Sequence, residues 1–266
     1  MKLNKNLTMD TLSKMLCESL KSLHPSLLFS IPLAIAYFFY PFYILKAAPV
    51  WACAVASYLQ HTPYGNSITA GLLFGSFGDI LLEMDDFYNI NLFIPGLVCF
   101  LVGHLCYIRA FYQSPIQFLA KTVGIPLLSL YYGIVMYFLL STVNAYMIAP
   151  VVIYALIIVL MVFFAFNRFL LSHYIPSATR YTSLLGCLWF LISDTILAFY
   201  TFYYDGIPGS HYLIMITYYL GQFCIATSTQ FPLVIEEFDD VDLEEAINHG
   251  NDIFERENPI IQERRH

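Results

Sequence analysis

Long apolar runs separated by short polar breaks fill the chain between residues 26 and 235. The runs are too long for barrel strands and show no strict alternation, so they predict helices. The breaks contain turn residues, as in His61–Asn66 and Asp205–Gly209. We predict eight helices, near Ser26–Tyr43, Ala47–Leu59, Ser67–Met84, Ile90–Tyr112, Phe118–Leu140, Met147–Phe166, Ala178–Tyr203 and His211–Ile235.

The composition places these helices in a membrane. Hydrophobic residues make up 59% of the chain and charged residues 12%, and that charged share is roughly half of the usual value for a soluble domain. A soluble fold of 266 residues could not bury so much apolar surface. The sequence therefore predicts an all-α, polytopic transmembrane bundle of about eight helices, with the lipid bilayer as its solvent.

The acidic residues divide the chain into segments. Eleven of the nineteen Asp and Glu residues lie in residues 236–266, with three arginines, so this tail carries a net charge of −8 and the rest about +1. We predict a cytosolic N-terminal segment (1–25), a transmembrane domain (26–235) and a largely disordered, acidic cytosolic tail (236–266). No basic patch is available to meet phosphates, which argues against nucleic-acid binding.

The basic residues predict the orientation. With a cytosolic N-terminus and eight helices, eleven of the twelve Lys and Arg residues fall in cytosolic segments, and only Lys46 falls on the other side. Cytosolic loops of membrane proteins carry such an excess of positive charge. We therefore expect both termini to face the cytosol.

Two acidic residues lie deep inside predicted helices. Asp79 is in the third helix and Asp194 in the seventh, at similar depth, and Gln222 reaches the same layer from the eighth. A charged side chain at the bilayer centre costs on the order of 2.5–3.5 kcal/mol, so such residues usually mark a functional site. The alternative is that each Asp only holds helices together through a hydrogen bond.

Other polar side chains share helix faces with this pair. Ser76 and Glu83 follow the face of Asp79, and His104 lies one turn from Tyr107 on the fourth helix. Packing is the alternative role for His104, and an interfacial position the alternative for Glu83. We predict that seven side chains line a cavity or contact a substrate, namely Lys46, Ser76, His104, Tyr107, Ser193, Tyr218 and Gln222.

A weak internal repeat links the two halves of the domain. Superposing Asp79 on Asp194 aligns Gly71 with Gly186 and Leu82 with Leu197, at an offset of 115 residues. A parallel duplication of four helices would produce this pattern. Chance matches between apolar helices would produce it equally well, so a 4+4 repeat and coincidence both stay open.

Four short motifs follow one another along the predicted helices, namely Gly78–Leu82, Gly103–Tyr107 with Phe111, Ser193 with Asp194, and Tyr218 with Gln222. Taken in order, these motifs resemble the YhhN-like family of lysoplasmalogenases, which are eight-helix membrane proteins. The resemblance covers about residues 45–230, and one departure is Lys46–Pro49, which keeps the Lys but only one Pro of the family's Lys-Pro-x-Pro.

The resemblance implies hydrolysis of the vinyl ether of lysoplasmalogens, in the endoplasmic reticulum or another internal membrane, with a lysophospholipid as substrate. Vinyl ethers are hydrolysed by proton delivery to carbon, and a buried carboxylic acid beside a carboxylate suits this step. Asp79 and Asp194 would form that pair, with Gln222 and Tyr218 orienting water or the ether oxygen. We expect no metal and no cofactor. A proton-coupled transporter or channel and a non-catalytic lipid-binding protein are the alternatives.

Overall fold

The structure is a computed structural model that describes residues 23–171, 175–203 and 209–231. These residues form eight α-helices and contain no strand. The prediction of an all-α bundle is therefore confirmed. The helices are α1 (Pro25–Phe39), α2 (Tyr43–Tyr58), α3 (Pro63–Tyr88), α4 (Phe93–Phe111), α5 (Ile125–Leu139), α6 (Ala145–Leu170), α7 (Ser177–Phe202) and α8 (Ser210–Thr227).

Five of the helical segments are long and apolar enough to cross a membrane: α3, α4, α5 with the π-helical turn Ala120–Gly124 that precedes it, α6 and α7. The apolar helix α1 is shorter. The molecule is thus a helical membrane bundle, and the spanning role of α1, α2 and α8 stays a prediction. The predicted N-terminal segment and acidic tail lie almost entirely outside the described residues.

Helix boundaries differ from the sequence prediction where polar residues occur inside a helix. The third predicted helix stopped before Asp85, but α3 continues to Tyr88 and ends where Asn89 adopts the left-handed conformation (φ 52°). It starts at Pro63, where the Thr62 side chain accepts a hydrogen bond from the backbone N–H of Gly65. A proline in the first helical turn and a polar cap before it are typical of helix starts. Similarly, α2 begins at Tyr43 and so includes Lys46.

Glycines allow two helix pairs to pack closely. A Cβ atom at Gly103 of α4 would lie 3.0 Å from the carbonyl oxygen of Gly71 on α3, and one at Gly186 of α7 would lie 2.9 Å from that of Gly221 on α8. Small residues at helix crossings let backbones approach in this way in membranes. Both halves of the bundle therefore use a glycine contact between successive helices, which is compatible with the repeat suggested by the sequence.

Candidate active site

Both intramembrane aspartates line one cavity of about 510 Å³. Its wall includes residues of every helix from α2 to α8. It extends to the end of the bundle where α3 and α7 terminate, because Asp86, Phe93, Phe202 and His211 also line it. Asp79 and Asp194 lie roughly 12–14 Å from those helix ends at 1.5 Å per residue. The structure thus brings together the two residues that the sequence placed at similar depth.

Asp79 is almost completely enclosed, with 2% of its surface exposed. Its Oδ2 atom accepts a 2.5 Å hydrogen bond from the hydroxyl of Tyr218 on α8. The Tyr218 ring packs edge-on against Phe190 and Phe100, with ring centroids 5.4 and 6.1 Å apart. This packing fixes the ring, so Tyr218 holds the Asp79 carboxyl in one orientation toward the cavity.

Asp194 has a different set of partners. Its Oδ2 atom accepts a short hydrogen bond from the hydroxyl of Tyr154 on α6, a residue that also lines the cavity. Behind it, Nε2 of His104 on α4 lies 3.1 Å from the same hydroxyl and 3.8 Å from Asp194 Oδ2. Twelve per cent of the Asp194 side chain is exposed. Asp194 therefore lies at the end of a row of three polar groups.

The end of the cavity at the C-termini of α3 and α7 is its mouth. Lys46 lies near this mouth but is not a free cation. Its Nζ atom donates a 2.9 Å hydrogen bond to Glu83 on α3, and the Tyr37 hydroxyl donates to both Glu83 carboxylate oxygens at 3.2 Å. Both charged residues are buried. The Glu83 carboxylate turns inward and neutralises Lys46, which favours a structural contact inside the bundle over the alternative position at the interface. The Tyr219 hydroxyl holds this site through the Lys46 carbonyl oxygen at 2.9 Å.

Of the other predicted side chains, Ser193 and Tyr218 line the cavity, whereas Ser76, His104, Tyr107 and Gln222 are buried outside its wall. The structure therefore does not place these four in the cavity wall, and their contacts give the reason, while a contact with the substrate stays a prediction. Ser76 accepts a 2.9 Å hydrogen bond from the indole N–H of Trp51 on α2. The Tyr107 hydroxyl donates to Gln222 Oε1 at 2.7 Å, behind the cavity. These four side chains therefore form hydrogen bonds with side chains of neighbouring helices.

Sequence reasoning missed Tyr154, which contacts Asp194 directly. It is one of 21 tyrosines, and the very apolar helix α6 also contains Tyr146 in its first turn. Its position as the tenth of 26 residues of α6, away from both helix ends, was the available signal, because membrane tyrosines prefer the two interfaces. Asp85, Asp86 and His211 also line the cavity without having been predicted. No cluster of three or more His, Cys, Asp or Glu side chains suited to a metal occurs among the described residues.

The YhhN family model matches residues 41–229, which include every helix of the cavity. The chain belongs to the YhhN family. Two relatives, both named lysoplasmalogenase TMEM86A, from Homo sapiens and Bos taurus, are each 30% identical over 194 residues, covering 70% of this chain and 76% of theirs. Human lysoplasmalogenase TMEM86B is 32% identical over 140 residues, covering 51% and 53%. No solved structure matches the chain.

Within this family member, the two deepest carboxyl groups of the cavity wall, Asp79 and Asp194, have unequal surroundings. Asp79 has one hydroxyl donor, and Asp194 has a hydroxyl donor backed by an imidazole. Two carboxyls in different environments can hold one proton between them, so that one acts as an acid and the other as a base. Such a pair can protonate a substrate and accept a proton from water within one enclosed site.

Proposed function

We propose that this chain hydrolyses the vinyl ether bond of lysoplasmalogens and releases a fatty aldehyde and a glycerophospho-base. The observation that carries the proposal is the presence of Asp79 and Asp194 in the wall of the same cavity. The names of the relatives from Homo sapiens and Bos taurus support the reaction class. A lipid substrate also fits a cavity that lies among membrane helices and has largely apolar walls.

The two carboxyls supply every proton that the reaction needs. The acid transfers its proton to the β-carbon of the vinyl ether, which forms a C–H bond and an oxocarbenium ion. Water adds to the cationic carbon and gives a proton to the carboxylate, which leaves a hemiacetal. The hemiacetal then loses its hydroxyl proton to the first carboxylate while the second acid protonates the departing glycerol oxygen. One water is consumed, and both carboxyls return to their starting states.

The cavity suggests how the substrate lies. Apolar residues of α5 and α6, including Met136, Leu139 and Val151, form one wall and suit the alkenyl chain. Lys46, near the mouth, is the basic side chain placed to face the phosphate. By the distribution of Lys and Arg, this mouth opens on the non-cytosolic side of an internal membrane such as the endoplasmic reticulum. The headgroup would then remain near the interface while the ether bond reaches the aspartates.

Purified protein incubated with a lysoplasmalogen and, separately, with the matched acyl lysophospholipid tests the proposal. We expect aldehyde and glycerophospho-base in equal amounts from the first substrate, and no fatty acid from the second. Absence of aldehyde from folded protein would contradict the proposal. The same protein in sealed liposomes addresses the transporter alternative, since lipid or proton movement without aldehyde would favour transport.

A further inference from the structure

The tyrosine that contacts Asp194 belongs to a continuous hydrogen-bonded row of three residues. The Tyr154 hydroxyl donates to Asp194 Oδ2, and Nε2 of His104 lies 3.1 Å from the Tyr154 oxygen. His104 is 1% exposed, and its ring packs edge-on against Phe190 at 4.8 Å between centroids. The row is therefore fixed on its inner side, and its outer end is the Asp194 carboxyl in the cavity wall.

The direction of the hydrogen bonds follows from the other imidazole nitrogen. His104 Nδ1 is buried and has no hydrogen-bond partner among the described residues. An orphaned buried N–H group is rarer than an orphaned acceptor, so Nδ1 carries the lone pair and Nε2 carries the proton. His104 is then a neutral imidazole that donates from Nε2 to the Tyr154 oxygen. The Tyr154 proton in turn points to Asp194, which must accept it.

We infer that His104 and Tyr154 are positioning residues that keep Asp194 ionised, so that Asp194 acts as the carboxylate and Asp79 as the acid. A hydroxyl whose oxygen already accepts a hydrogen bond is a stronger donor, and donors to a carboxylate favour its charged form. Asp79 is more deeply enclosed and has the single Tyr218 donor, so it is the better holder of the shared proton. This assignment rests on the proposed vinyl ether hydrolysis.

Other ionisable groups that surround Asp194 are already engaged or lie toward the mouth. On α5, the Tyr131 hydroxyl bonds to Thr195, the residue after Asp194, and on α8 Tyr218 donates to Asp79. Lys46 is paired with Glu83. The remaining ionisable residues in the cavity wall are Tyr132, Asp85, Asp86, Tyr200 and His211. Within the part of the chain that the structure describes, none of these side chains donates a hydrogen bond to the Asp194 carboxyl, which leaves Tyr154 and His104 as the groups that bias its ionisation.

Tyr154→Phe tests the hydrogen-bonded row, because it removes one oxygen atom and keeps the ring. We expect kcat to fall by about tenfold or more, the approximate worth of one hydrogen bond to a charged group, with KM changed by less than about twofold. The acidic limb of the kcat/KM pH profile should move to higher pH, since Asp194 is protonated more easily without its donor. Tyr64→Phe is the matched control, because it removes a buried hydroxyl bonded to Ser228, outside the cavity wall.

Two substitutions at His104 distinguish its role as a hydrogen-bond donor in the row from a role in packing alone. His104→Gln keeps an N–H donor near the Nε2 position and should retain turnover within about threefold of wild type, whereas His104→Leu keeps bulk alone and should lose about tenfold. A purely structural role predicts a lowered melting temperature without movement of the pH profile. If Gln is as poor as Leu in folded protein, a neutral donor is not what His104 supplies and the inference fails.

The pH profile also distinguishes failure of this inference from failure of the proposed function. If wild-type protein releases no aldehyde, the function itself is wrong. If wild-type protein is active and Tyr154→Phe keeps the wild-type rate and pH profile, the inferred role of Tyr154 is wrong while the proposed function stands. If Tyr154→Phe instead moves the basic limb, Asp194 is the acid, and the assignment of the two roles is overturned.

Discussion

The hydroxyl of Tyr218 donates a 2.5 Å hydrogen bond to Oδ2 of Asp79, across 139 residues of sequence. The bond joins α8 to α3 at the wall of the cavity. An intramembrane carboxyl is costly to bury, and a hydroxyl donor offsets part of that cost. The contact therefore both connects the two halves of the bundle and aims one carboxyl at the cavity.

Tyr218→Phe should reduce kcat by about tenfold through loss of this single hydrogen bond. The ring remains packed against Phe190, so the variant should fold, but the melting temperature should fall by a few degrees because the buried carboxyl loses its donor. The measurement is steady-state aldehyde release, with Tyr64→Phe again serving as the control for removal of a buried hydroxyl. Equal loss of activity in both variants would show that the effect is not specific to Asp79.

The buried pair of Lys46 and Glu83 should be a strong structural contact. Glu83→Gln leaves Lys46 buried without its counter-ion, which typically costs roughly 3–5 kcal/mol. The double variant Lys46→Met with Glu83→Gln removes both charges and should recover most of that loss. Thermal unfolding in detergent measures the effect. A single variant as stable as wild type would mean that water reaches the pair.

The same double variant tests phosphate recognition by Lys46. If Lys46 binds the phosphate, the stable double variant should still show KM raised several-fold with kcat nearly unchanged, because phosphate binding is similar in the ground and transition states. A wild-type KM in the double variant would show that Lys46 does not bind the phosphate and serves only as the ion-pair partner of Glu83.

Close packing of α3 and α4 should be sensitive to a single methyl group. A Cβ atom at Gly71 would lie 2.2 Å from the Tyr107 ring, whereas one at Gly133 of α5 would meet nothing within 4 Å. Gly71→Ala should therefore destabilise the protein by roughly 1–3 kcal/mol, and Gly133→Ala should not, because alanine is the better helix former. Melting temperatures of the two variants provide the comparison. Similar values would contradict the tight crossing.

The sequence predicted the helices and the two aspartates because both signals are local. Apolar runs mark helices in lipid, and a carboxylate within such a run is conspicuous whatever the packing. Helix ends were less well predicted, since α3 continues through Asp85 and Asp86 to Tyr88. Polar residues that stop an apolar run do not by themselves stop a helix.

Partners across helices could not be predicted, because they depend on helix rotation and on which helices are neighbours. The spacing places Ser76 on the same helix face as Asp79, but the rotation of α3 turns Ser76 toward α2, where its hydroxyl accepts a hydrogen bond from Trp51. His104 and Tyr107 lie one turn apart, but they reach Tyr154 and Gln222 on different helices. Tyr154 has no local signature beyond its depth. The contacts that distinguish Asp194 from Asp79 are therefore visible only in three dimensions.

The most direct test of the account is aldehyde release by Asp79→Asn and Asp194→Asn. Asn keeps the size and hydrogen-bonding capacity of Asp and removes the acid, so both variants should fold with wild-type melting temperatures. Because the two carboxyls act as one unit, each single variant should lose most of its turnover, and the double should be little worse than the poorer single. A well-folded Asp79→Asn or Asp194→Asn variant that releases aldehyde at nearly the wild-type rate would contradict the catalytic role of the pair.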